Sequence, residues 1–105
     1  MARKDYEREI ELYGFLERLQ SSDSEALANL ARRLRRLLWE VLHTASTPPK
    51  SWQEEVIRPS ALADLEKGNT FNYCVAELEK FTYEYPLLAS ALRIAEKIDE
   101  IKALG

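Results

Sequence analysis

One cysteine, Cys74, stands in 105 residues. No disulfide can close within such a chain, and no multi-thiolate metal site can be built. Three glycines, Gly14, Gly68 and Gly105, are too few and too scattered for a phosphate-cradling loop. His43 is the lone histidine, so no His cluster is available for a metal, and no Ser, Asp and His grouping stands out. Ile, Val and Thr number 12 against 16 Leu, a poor supply of β-branched residues for a sheet. No apolar run approaches the ~18 residues of a membrane span. No apolar stretch follows Met1-Ala2-Arg3-Lys4-Asp5, so no secretory leader is expected and a cytoplasmic location is the default.

What fills the chain is helix-forming. Ala, Glu, Lys, Leu and Arg occupy 57 of the 105 positions, while 46% of residues are hydrophobic and the net charge is −3. Disorder is not expected at that hydrophobic content and modest net charge, and the length suits a single all-α domain over 1–105. The charge is uneven. Residues 22–50 carry +2, whereas 1–21 carry −1 and 51–105 carry −4. A basic segment inside an acidic chain implies a directed contact with an anionic surface, within the fold or outside it.

Hydrophobic spacing predicts a small bundle of four main helices, about 4–20, 24–44, 70–85 and 87–104, with short helices in 52–67. Tyr6, Ile10, Tyr13, Leu16 and Leu19 give the first an apolar stripe, with Leu12 and Phe15 widening it. Leu27, Leu30, Leu34, Leu37, Leu38 and Val41 give the second, which Pro48-Pro49 ends. Ser51-Trp52-Gln53-Glu54 has capping-box spacing for a short helix over 52–57. Arg58-Pro59-Ser60 then reads as an interruption, and Gly68 as the cap of a second short helix. Phe71, Cys74, Val75, Leu78, Phe81, Thr82 and Tyr85 step by three and four, although Phe81, Tyr83 and Tyr85 also alternate as in a strand. A lone strand would have no partner, so helix is the reading. Leu87, Ala91, Ile94, Ile98 and Ile101 form the last stripe.

The candidate site lies on the second helix, opposite its leucines. Arg32, Arg36, Trp39 and His43 fall at i, i+4, i+7 and i+11, within about 60° of one another at 100° per residue. Guanidinium forks suit carboxylate or phosphate, an indole offers a stacking plate, and an imidazole donates or titrates near neutrality. The competing structural role is a solvated face paired with the acidic helices, with Trp39 covered by the 46–58 segment and packed on Trp52. Other groupings are less distinctive. Glu96, Asp99 and Glu100 share a face but no histidine completes a metal site, adjacent Glu54 and Glu55 point apart, and Cys74 reads as a small buried hydrophobe. Residues 60–80 have a helix-turn-helix outline, but Glu77, Glu79 and Glu84 against Lys80 would repel phosphate, so a tight helical corner is expected.

Arg36 and His43, separated by six residues on one face, resemble the Arg-x(4–6)-His motif of the HEPN superfamily, all-α proteins that include toxin-type ribonucleases. That resemblance implies metal-independent RNA cleavage across a dimer, with Arg36 on the phosphate and His43 in acid–base chemistry. Leu37 follows Arg36 where the family usually has a polar residue. The favoured expectation is a non-enzymatic interaction module with no cofactor. It would bind an acidic protein surface through Arg32, Arg36, Trp39 and His43, and form a homodimer through the C-terminal helices. Nucleic acid is disfavoured by the acidic chain, whose pI is near 5.2.

Overall fold

A computed structural model of the protein describes residues 6–105. The expected start of the first helix at residue 4, and the Met1–Asp5 opening, lie outside the described residues. Six helices make up the architecture: α1 Glu7–Leu19, α2 Glu25–Ser46, α3 Trp52–Lys67, α4 Asn69–Glu84, α5 Pro86–Ala91 and α6 Ile94–Lys102. No strand occurs among the described residues. The all-α bundle read from the sequence is the observed fold class.

α2 is the central element, packing against α1, α3 and α4, while α6 rests on α1 and α4. Ser24 caps α2 by accepting the Leu27 N–H at 3.3 Å, so one of the unpaired first-turn donors is satisfied. Leu27, Ala31, Leu34 and Leu38 then enter the main core, meeting Leu12, Leu16 and Leu19 of α1 and Phe71, Cys74 and Leu78 of α4. On α1 the buried line runs through Glu9, Leu12, Leu16 and Leu19, and Ile10 faces solvent. Ile10 sits about 160° round the helix from Leu12, so the expected stripe was centred too far toward the tyrosines.

The segment 52–67 departs from expectation. It is one continuous helix carrying Pro59 inside it, not two short ones. Ser51 caps it by accepting the Glu54 N–H at 3.3 Å, while the Glu54 carboxylate accepts the Lys50 N–H at 2.7 Å. Proline leaves the carbonyl four residues earlier without a helical donor. Pro59 is exposed, so water has access to the gap and the helix persists. Only Ala61 and Leu65 of α3 are buried; with Ala45 they form a small second cluster against Val41 and Leu42.

α3 ends at Gly68, in the left-handed region at φ 73°, whose N–H bonds the Asp64 carbonyl at 2.8 Å. The Asp64 carboxylate accepts the Thr70 N–H at 3.2 Å and so starts α4. The helix-turn-helix outline is thus a tight corner. A Cβ at Gly68 or at Gly105 would collide with the Arg8 side chain, whose guanidinium lies over Phe71. α4 continues as helix through Phe81 to its end at Glu84, and the Phe81 and Tyr85 rings stack at 4.6 Å.

The expected helix over 87–104 is instead two. Arg93, at φ 54°, breaks it after Leu92. The change of direction lets Ile94, Ile98 and Ile101 face the core, whereas Leu87 stands 87% exposed on α5. The C-terminal seam from Phe71 to Ile101 is therefore largely the inside of this chain's own bundle.

Candidate functional site

The outer face of α2 follows from its inner one. Leu34, Leu38 and Ala45 point inward, and at 100° per residue this turns Arg32, Arg36, Trp39 and His43 outward together. All four are exposed, Trp39 at 46%. Trp39 is not covered by the 46–58 segment. Its indole stacks on the His43 imidazole one turn later, with ring centroids 4.5 Å apart and planes within 9°. Trp52, the other expected neighbour, stands 69% exposed on α3.

The four arginines of α2 divide into two functional pairs. Arg33 donates to Glu77 of α4 at 3.0 Å, and Arg35 donates to the Tyr13 hydroxyl of α1 at 2.6 Å. These flanking side chains reach across to neighbouring helices. Among the described residues, Arg32 and Arg36 have partners only on their own helix, Asn29 at 2.8 Å and Glu40 at 3.8 Å. Exposed same-helix pairs of this kind contribute only about 0.3–0.5 kcal/mol, so both guanidinium groups can be drawn to a stronger anion. Pairing with an acidic residue of another helix, one of the two roles open to the basic segment, thus applies to Arg33, whereas Arg36 of the stripe meets only Glu40 of its own helix among the described residues.

Arg32, Arg35, Arg36 and Trp39 line a shallow depression of about 350 Å³. The Nε of Arg35 is buried, with no hydrogen-bond partner among the described residues. A concavity edged by three guanidinium groups and one indole fits a carboxylate or phosphate beside a flat or apolar group. The stack on His43 already restricts the indole, which lowers the ordering cost of a contact.

The remaining chemistry-bearing residues are occupied elsewhere. Cys74 is fully buried, its thiol donating weakly to the Leu34 carbonyl at 3.8 Å. Burial, then the nearby Asp64 carboxylate, pushes that thiol up from the ordinary 9.0 to about 12, far from thiolate nucleophile chemistry. Glu96 faces Arg93 at 3.8 Å and Glu100 faces Lys97 at 3.5 Å. No group of three or more His, Cys, Asp or Glu able to hold a metal ion occurs among the described residues. None of the described helices is long and apolar enough to cross a membrane.

A second outward stripe escaped the sequence reading. Trp52, Val56, Pro59 and Ala63 lie opposite the buried Ala61 and Leu65 of α3, with Val56 67% exposed. Their i, i+4, i+7, i+11 spacing repeats that of the α2 stripe. The signal was present in the sequence, but treating Pro59 as a break cut it in half. No protein-family model, curated protein or solved structure matches the chain.

Proposed function

We propose that this chain is a non-enzymatic interaction module that binds an acidic protein segment through the outer face of α2. The observation carrying this reading is the division of the arginines: Arg33 and Arg35 are tied to α4 and α1, while Arg32 and Arg36 project beside an exposed Trp39 with no partner from another helix among the described residues. Carboxylates of the partner would bridge Arg32 and Arg36. An aromatic or aliphatic side chain would lie on the Trp39–His43 stack, an aromatic and arginine pairing typical of interface anchors.

The test is the anisotropy of a labelled Asp/Glu-rich peptide carrying one aromatic residue, alongside a labelled single-stranded RNA of equal charge. The peptide is expected to bind, and Arg32→Glu with Arg36→Glu to weaken binding by at least about ten-fold, ~1.4 kcal/mol, with helicity unchanged. Undiminished peptide binding by the double variant refutes the assignment. RNA cleavage that disappears in His43→Ala would move the conclusion to the HEPN-like alternative, with Arg36 and His43 in the roles that resemblance implies. A homodimer through the C-terminal helices would have to use what the core leaves outside, chiefly Tyr83 and Leu87, both more than four-fifths exposed. Leu87→Glu would then abolish it.

A further inference from the structure

Two helix faces are left uncovered among the described residues, and their chemistry is complementary. The α2 stripe is basic and aromatic. The α3 stripe is apolar, Trp52-Val56-Pro59-Ala63, and is flanked on one side by the exposed carboxylates Glu55 and Glu66. Both repeat the 4-3-4 spacing that lets side chains of one helix enter the gaps of another. At ~1.5 Å per residue each stripe is about 16 Å long, so they match in length. In parallel alignment Arg32 and Arg36 bracket Glu55; in antiparallel alignment Arg32 reaches Glu66 and His43 reaches Glu55. Trp39 meets Pro59 in the parallel alignment and Val56 in the antiparallel one, each smaller than an indole.

The two stripes cannot meet within one chain. The inner sides of α2 and α3 face each other across Ala45, Ala61 and Leu65, so their outer sides point away from one another. We infer that the acidic partner of the α2 face is the α3 face of a second copy of this chain. This rests on the reading of α2 given above and supplies its partner. Donor and acceptor surfaces are different patches on opposite sides, so the contact is heterologous. Such a contact propagates head to tail, or closes into a ring, and does not stop at a two-fold dimer. Because the contact is between exposed side chains, association is salt-sensitive.

Sedimentation of the full chain over a concentration series, up to about millimolar, tests this. A mass rising above the 12.2 kDa of one chain, and past that of a dimer unless a ring closes, is the expected result. Arg32→Glu with Arg36→Glu makes both faces acidic, and Glu55→Arg with Glu66→Arg makes both basic. Each variant alone should remain at monomer mass with unchanged helicity. An equimolar mixture should reassociate, because every interface then again joins opposite charges. A wild-type chain that stays monomeric throughout overturns the inference, as does association that survives in either variant or a mixture that stays monomeric. If wild type is monomeric yet binds the acidic peptide through Arg32 and Arg36, the second-copy inference fails and the reading of α2 stands. If it assembles, the same peptide must compete the assembly away, and failure to compete overturns the shared use of α2.

Discussion

Gly68→Ala probes the α3–α4 corner and the Arg8 side chain packed against it. The first contribution is the backbone: at φ 73° and ψ 26°, an alanine Cβ costs about 1 kcal/mol in the left-handed region. The second is steric, since the added Cβ meets the Arg8 guanidinium. That group is the flexible end of a long side chain, so it moves aside, and the cost is what it leaves. It sits 4.4 Å from the Phe71 ring centroid, worth about 0.5–1 kcal/mol. It also lies 3.3 Å from the Glu9 carboxylate, which is fully buried. Arg8 keeps a fifth of its side chain in water and the contact is long, so about 1 kcal/mol is appropriate. Reduced freedom of the unfolded alanine chain offsets about 0.4–1 kcal/mol. The expected net loss is about 1.5–2.5 kcal/mol, read from urea unfolding followed by far-UV circular dichroism. The decisive comparison is the same substitution in an Arg8→Ala background, where only the backbone cost less the same unfolded-chain offset, about 0–0.6 kcal/mol, should remain. Equal losses in the two backgrounds would refute the steric argument.

Arg93→Gly should stabilise the protein by about 0.5–1 kcal/mol, because glycine relieves the φ 54° strain at the α5–α6 joint. The exposed Arg93–Glu96 pair it removes contributes little; a lower melting temperature would contradict this. Cys74 gives a pH prediction. With the folded thiol raised to about 12 against the ordinary 9.0, the unfolded chain loses its proton first. Stability attached to this residue is full below 9.0 and falls as pH climbs toward 12, with a limiting slope of about 1.4 kcal/mol per unit. Cys74→Ala should flatten unfolding free energy against pH in that window relative to wild type, and identical slopes would dismiss the effect.

Helix spacing made most of this architecture legible, because leucines at intervals of three and four on α2 leave few packing choices. The failures have physical causes. Pro59 forbids one hydrogen bond, not a helix, and its exposed position removes most of the penalty. Nothing in Leu92-Arg93 announces a break; the left-handed turn there comes from the need to aim three isoleucines at the core, a tertiary demand. The α2 stripe could be located from the sequence, but which arginines are engaged could not. Arg33 and Arg35 owe their roles to Glu77 and Tyr13, 44 and 22 residues away in the chain.

The small cluster of Ala45, Ala61 and Leu65 has a consequence for how the molecule breathes. Two alanines and one leucine bury little apolar area compared with the leucine, isoleucine and phenylalanine side chains of the main core. The N-terminal half of α3 therefore separates from α2 at lower free energy than the bundle unfolds, an opening distinct from the global transition. Amides from Trp52 to Arg58 should be among the first helical positions to exchange with solvent. Whatever seats itself on Trp52 and Val56 must select the closed arrangement, so its measured affinity is scaled by the closed fraction. Its arrival should slow exchange in α3 and α2 together.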